Sequence, residues 1–260
     1  MYADPTRKIG VDLPLLLFDM DGTLIHVEGR VANPGHHPGH QAKTPAREEM
    51  KRLAALHGVP SEAVEDLNRM AHIWNTCRAY AEAKGYSEEE TDALMAALDG
   101  PFMEEEVTDH AISTLLPDAE ETLDALRGLG YEISLVTTAS KASVERIVGS
   151  PEYGHIGRFF THMVTRDDCR YVKPRPEPIM RALALHGRTG FVYVGDSDHD
   201  AQAAKAAGGP FILVDTRDYG KDMVAGLGPI AVVRSLSELP GVLTMLATSG
   251  NKAKSRRQPS

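Results

Sequence analysis

Five short apolar runs constrain the fold of this chain more than any other feature. They fall at residues 15–18, 132–136, 191–194, 211–214 and 230–233, and all after the first are rich in valine and isoleucine. Runs of this length without alternation suit strands buried on both faces, as in a parallel sheet. Helical patterns lie between most of them. Residues 119–129 place Leu123 and Leu126 on one side and end at Gly128 and Gly130, residues 178–186 lead into Gly187, and 201–207 into Gly208. Strand and helix in turn predict an α/β fold with a doubly wound, mostly parallel sheet. Ligands of such sheets gather at the carboxyl ends of the strands, which is where Asp19 and Asp21 fall.

The alternation is interrupted after the first strand. Thr44 and Pro45 read as the N-cap and first position of a helix that carries Met50, Leu53 and His57 to Gly58. Ser61 opens a second, with Val64, Leu67, Ala71 and Trp74 on one face up to Gly85. Ser87 and Glu90 form a capping box for a third that stops at Gly100 and Pro101, and residues 102–112 supply a fourth. Four helices with apolar stripes predict an all-helical domain packed on itself. The expected division is therefore 1–27 and 117–246 for the α/β core, 28–116 for the helical insert, and 247–260 for a polar, basic, disordered tail.

Composition narrows the function. With 42% hydrophobic and 25% charged residues the chain is neither fibrous nor disordered, and a net charge of -9 argues against a general nucleic-acid binder. Cys77 and Cys169 make no disulfide framework, which favours a reducing compartment. The apolar stretch at 13–18 is too short for a signal h-region, and no run approaches the roughly 20 apolar residues of a membrane span. The expectation is a cytoplasmic protein with no membrane and no nucleic-acid partner.

Four segments carry chemistry. In "LLLFDMDGTL" the carboxylates of Asp19 and Asp21 flank Met20 at the mouth of an apolar run. Like charges there repel and are costly to desolvate, so they need a cation, a proton or a reaction, although Asp-Gly alone is also a common turn. In "LVTTAS", Thr137 and Thr138 sit just past the strand that ends at Val136, a weak signal by itself. In "YVKPRPEP", Lys173 stands among Pro174, Pro176 and Pro178, which stiffen the backbone that aims it; a solvated lysine is the plainer reading. In "VYVGDSDHD", Asp196, Asp198 and Asp200 follow a strand, a pattern that suits a hard divalent cation or merely an acidic loop. Brought to one sheet edge, aspartates for magnesium, a lysine for an anion and a hydroxyl match phosphoryl transfer. No Walker loop and no G-x-G-x-x-G occurs, so a nucleotide or dinucleotide site has no support.

"DMDGT", "LVTTAS", "VKPRPEP" and "GDSDHDAQAAKAAG", in this order and with a helical insert after the first, resemble the haloacid dehalogenase superfamily, and within it the phosphoglycolate phosphatase and β-phosphoglucomutase group. The similarity covers roughly residues 13–27 and 117–215 and is weak across the insert, where substrate choice resides in this family. It implies a Rossmann-like core with a helical cap, hinged near 26–29 and 113–117, that acts as a lid. It implies Asp19 as the nucleophile that forms an aspartyl-phosphate and Asp21 as general acid and base. It also implies Mg2+ held by the carboxylate of Asp19, the backbone carbonyl of Asp21 and the carboxylate of Asp196, with Asp200 in support. Thr137 and Lys173 would grip the phosphoryl oxygens with help from the backbone N–H of Thr138. The implied substrate is a small phosphorylated metabolite, phosphoglycolate-like or a sugar phosphate.

Asp21 bears on the reaction, because dehalogenases of the superfamily lack an aspartate there and phosphonate hydrolases use a lysine of the cap. A mutase of the β-phosphoglucomutase type shares all four motifs and stays open. So does a phosphoserine-type phosphatase, since Glu28 stands at the offset from Asp19 where those enzymes carry a glutamate. A receiver-like domain, phosphorylated on aspartate without being an enzyme, would be about half this length and would not need Asp21. The loop "NPGHHPGH" offers His36, His37 and His40 to a substrate or transition metal, with a solvated loop as the plainer reading. Arg47 and Lys51, one turn apart, are expected on a solvated face, though they could meet a substrate carboxylate. Oligomeric state, monomer or homodimer, is left open.

Overall fold

The structure, a computed structural model, describes residues 13–27 and 44–255. In chain order the elements are β1 (Leu15–Phe18), β2 (Ile25–Val27), α1 (Pro45–Leu56), α2 (Met70–Lys84), α3 (Glu88–His110), β3 (Ser113–Leu115), α4 (Ala119–Gly128) and β4 (Ile133–Val136). They continue with α5 (Lys141–Val148), β5 (His162–Val164), α6 (Glu177–His186), β6 (Phe191–Gly195), α7 (Asp198–Ala206), β7 (Phe211–Val214), α8 (Lys221–Leu227), β8 (Ala231–Val233) and α9 (Leu239–Ser255). Six strands form one parallel sheet in the order β5-β4-β1-β6-β7-β8, with Phe18 of β1 opposite Leu135 of β4 on one side and Val194 of β6 on the other. The strand order reverses at β1, so a crevice opens at the carboxyl ends of β1, β4 and β6.

The unbroken apolar runs are explained by burial on two faces. Leu16 and Phe18 point into a cluster closed by α4, α5 and α9, while Leu15 and Leu17 point into a second closed by α6, α7 and α8. The predicted strands are all present, with ends shifted by a residue at most. β5 carried no such signal, because a three-residue edge strand with His162 and Met163 half-exposed or exposed has no apolar run.

Among the described residues the insert forms three α-helices rather than four. The chain does not stop at Gly100 and Pro101; α3 runs through both to His110. Pro101 forgoes one backbone bond, but Leu98 and Phe102 on either side of it are buried, and the Phe102 ring meets Trp74 of α2 edge-on at 6.2 Å. The second helix also starts later than its apolar stripe suggests, at Met70, after a single 3-10 turn over Ser61–Ala63 that already buries Val64. The caps are as the sequence predicts. Thr44 accepts from the Arg47 N–H, Ser87 and Glu90 complete a capping box, and Gly85 closes α2 in the left-handed region.

Where the chain passes between core and insert, β2 and β3 pair antiparallel, Ile25 opposite Leu115 and Val27 opposite Ser113. At the other end of the chain a disordered tail is expected from 247, but α9 extends to Ser255. Leu239 and Leu243 anchor its start in the core, and each further residue of an established helix adds a bond without a new nucleus. Glu28 and the histidines 36, 37 and 40 lie outside the described residues.

Candidate active site

The crevice gathers the four motif segments. Asp19 directly follows β1 and donates its N–H to the Val194 carbonyl at 3.0 Å. Thr137 directly follows β4 and donates its N–H to the Val164 carbonyl at 3.0 Å. Asp196 directly follows β6, and Asp200 sits in the first turn of α7. Lys173 lies in the loop between β5 and α6. All five side chains are buried.

Lys173 is the hub. Its Nζ donates to Asp19 Oδ1 at 2.6 Å, to Asp200 Oδ1 at 2.6 Å and to the Tyr193 hydroxyl at 3.0 Å, and that hydroxyl donates onward to the Val136 carbonyl at 2.7 Å. Asp200 divides its oxygens between two tasks. Oδ2 accepts from the Ser197 N–H at 3.0 Å and hydroxyl at 2.5 Å, closing the capping box that starts α7, while Oδ1 faces the lysine. Two glycines make room. A Cβ on Gly195 would lie 2.6 Å from Asp200 Cγ, and one on Gly22, whose φ is +85°, would lie 2.3 Å from Asp196 Oδ2.

The charges are unevenly balanced. Burial pushes the Lys173 ammonium towards neutrality, but the charges of Asp19 and Asp200 outweigh it and its pKa rises. Asp200 suffers the same burial, yet Lys173 holds its carboxyl below the usual range. For Asp19 burial dominates, the Asp200 charge adds to it, and Lys173 does not compensate, so its pKa is raised. Burial likewise pushes Asp196 up to about 6 against the pull of Arg217, whose Nη2 stands 2.5 Å from Asp196 Oδ2. The ligand oxygens of Asp19, Asp196 and Asp200 lie within 4.8 Å of one another. Three buried carboxylates around fewer cations form a hard oxygen donor set, which fits a divalent ion such as Mg2+.

Asp21 differs from Asp19. Its side chain is 36% exposed, and Oδ1 meets His110 Nε2 at 2.8 Å. His110 is the last residue of α3 and is buried; burial works against its charged form, but the hydrogen bond and charge of Asp21 prevail and raise its pKa. Thr137 Oγ1 accepts from the Ala139 N–H at 3.1 Å, which leaves its O–H for an anion. Thr138 lines the cavity and its carbonyl accepts from Arg166 at 2.9 Å.

Helices α1, α2 and α3 roof these residues and enclose a cavity of about 230 Å³. Arg47, expected on a solvated face, is instead 2% exposed and lines it. Lys51 does not line the cavity; its side chain, 15% exposed, donates to the Glu65 carbonyl at 2.8 Å and meets Glu48 at 3.5 Å. Sequence reasoning did not single out His110, Tyr193, Arg69, His199 or Arg217, all of which line the cavity or touch its charges. Tyr193 and His199 stand inside the fourth motif and could have been suspected from that; Arg217 lies just past it, and His110 and Arg69 occur far from any motif.

The chain matches the family model for haloacid dehalogenase-like hydrolases over residues 13–208. It is 29% identical over 230 residues to pyrophosphatase PpaX of Bacillus velezensis, covering 86% of this chain and 93% of that protein. Phosphoglycolate phosphatase 1 of Pseudomonas aeruginosa is 27% identical over 238 residues, covering 86% and 78% respectively. The fold is similar to the crystal structure of a hydrolase from Pseudomonas syringae, with a TM-score of 0.54 at 16% identity over 89% of this chain and 98% of that one.

Proposed function

The chain belongs to the haloacid dehalogenase-like hydrolase family, and from that premise we propose that it is a Mg2+-dependent phosphatase of a small phosphorylated metabolite. The observation that carries the reading is the juxtaposition of Lys173, Asp19, Asp196 and Asp200 at the switch point of the sheet, with Asp21 beside them and a cavity of about 230 Å³ above. Asp19 attacks phosphorus to give an aspartyl-phosphate, and Asp21 protonates the leaving oxygen and then takes a proton from the water that releases phosphate. Asp19, Asp196, the Asp21 carbonyl and, in support, Asp200 are the residues suited to hold Mg2+. Once bound, the ion keeps Asp19 ionised and neutralises charge on the transferring group. Lys173 and the Thr137 hydroxyl hold the phosphoryl oxygens, with the Thr138 N–H assisting.

The three insert helices act as the cap, and β2 with β3 form its hinge, so that closure excludes water from the first step and opening admits it to the second. The pyrophosphatase and phosphoglycolate phosphatase names of the relatives point to substrates in which a second small anion adjoins the phosphoryl group. Arg47 and Arg69 of the cap line the cavity where such a group would sit. The test is phosphate release from p-nitrophenyl phosphate, phosphoglycolate, pyrophosphate, phosphoserine and sugar phosphates with Mg2+, comparing wild type with Asp19→Asn. Release no faster than the variant on every compound would refute the reading, and isomerised sugar phosphate would establish a mutase instead.

A further inference from the structure

The loop that carries Lys173 is held by the cap as much as by the core. Val172, the residue just before the lysine, is fully buried, and its side chain belongs to the apolar cluster of the cap with Trp74, Cys77 and Leu98. Both of its peptide groups are bracketed by one side chain of α2. Asn75 Oδ1 accepts from the Val172 N–H at 2.9 Å, and Asn75 Nδ2 donates to the Val172 carbonyl at 2.8 Å. The carbonyl also accepts from the Arg175 N–H at 3.0 Å, so the amide of Val172 is the group that depends on Asn75. Asn75 is itself buried and does not line the cavity. A carboxamide offers a donor and an acceptor in one plane, which is what the N–H and C=O of a single residue require.

We infer that Asn75 is a positioning residue for the proposed reaction: by clamping the Val172 peptide when the cap is closed, it sets Lys173 Nζ between Asp19 and the phosphoryl group. The inference rests on the phosphatase reading. It makes closure of the cap a requirement for a complete phosphate site, in addition to its exclusion of water. The other cap contacts fit such coupling. His110 touches Asp21, and Arg69 meets Asp198 at 2.7 Å. Glu106 accepts from the Ser140 N–H just past Thr138 at 3.1 Å. Each of the four motif segments is thus in contact with a polar residue of the cap, and among the described residues only for Lys173 are both peptide groups of the adjoining residue clamped by it.

A double-mutant cycle on the full chain with Mg2+ tests the inference. Asn75→Ala is expected to lower kcat about 10- to 100-fold on p-nitrophenyl phosphate, as misplacement of a catalytic group does, with KM raised by no more than about tenfold. Affinity for inorganic phosphate should fall about tenfold when Lys173 is present, but change by less than about twofold in a Lys173→Ala background, because the two residues then act as one unit. Tyr171→Phe removes the 2.8 Å bond from the same loop to Glu82 of the same helix without touching Val172 and should leave kcat within about twofold. Equal weakening of phosphate binding in both backgrounds, an unchanged kcat, or an equal loss in Tyr171→Phe would overturn the inference. Should Asn75→Ala fail to fold, Asn75→Leu, which keeps the side-chain volume and removes both bonds to Val172, is put through the same cycle. An inactive wild type refutes the phosphatase reading, whereas the binding arm still reads the coupling of Asn75 to Lys173.

Discussion

Two aspartates one residue apart have separate surroundings, and that difference sets what each can do. Asp19 is buried against Lys173 at 2.6 Å, while Asp21 is part-exposed and held by His110 at 2.8 Å. Asp19→Asn should abolish turnover. Asp21→Asn should slow it on the order of 10²- to 10⁴-fold by removing the proposed acid and base, and should let a phosphoenzyme accumulate that intact mass after rapid quenching would detect. No accumulation, with equal losses in both variants, would leave the two roles unseparated. Gly22 is a second residue whose environment decides. A Cβ there would meet Asp196 Oδ2 at 2.3 Å from a backbone φ of +85°. Gly22→Ala should therefore cost at least about 1–2 kcal/mol from the left-handed backbone alone, read as a lower urea midpoint, and should disturb Asp196 enough to lower activity. At this scale the identities of Asp19, Asp21, Lys173 and Asp196 were legible, because their motifs are local. Arg217 and His110 were not, because what makes them matter is a partner 21 residues away in one case and 89 in the other.

Helix α2 of the insert meets helix α7 beside the sheet. The ring of His72 of α2 packs at a 41° tilt against that of His199 of α7 with centroids 4.6 Å apart, and Arg69 pairs with Asp198 alongside. Burial and the nearby Arg69 charge hold both rings below the usual histidine value, His199 at about 3. A folded pKa below the unfolded value of 6.5 means that stability is full above that pH and is lost as the pH falls from there towards about 3. The urea midpoint should fall between about pH 7 and pH 4.5 more steeply in wild type than in His199→Gln; identical slopes would show that the pair does not drive the loss. At the same scale, periodicity found the helices whose ends carry caps, such as α1 and the start of α3. It misjudged α3 at Pro101, because local propensity there is overruled by the burial of Leu98 and Phe102. The strands β2, β3 and β5 escaped it for a simpler reason: Ile-His-Val, Ser-Thr-Leu and His-Met-Val contain no unbroken apolar run, unlike the equally short β8.

As a whole the molecule is an α/β sheet with a helical insert whose side chains reach the charged site at the sheet edge. Because Asp19, Asp196 and Asp200 are buried around fewer cations, Mg2+ should stabilise the fold by mass action, by about 2.7 kcal/mol at a hundredfold excess over its Kd. Asp196→Asn should remove most of the resulting rise in Tm, and a chelator should remove both that rise and the activity; an equal rise in the variant would place the ion elsewhere. The sequence by itself determined the layered fold and the strand ends on which the motif residues stand. It could do so because burial on both faces writes a strand as a continuous apolar run, and a parallel sheet brings strand ends together wherever the order reverses. Only the tertiary structure decided how the cap meets that edge: that Arg47 is buried over the cavity, that His110 reaches Asp21, and that Asn75 clamps the residue before Lys173. These contacts join residues of the helical insert to residues of the sheet edge that are far away in sequence, and no local period or spacing records which residues face each other there.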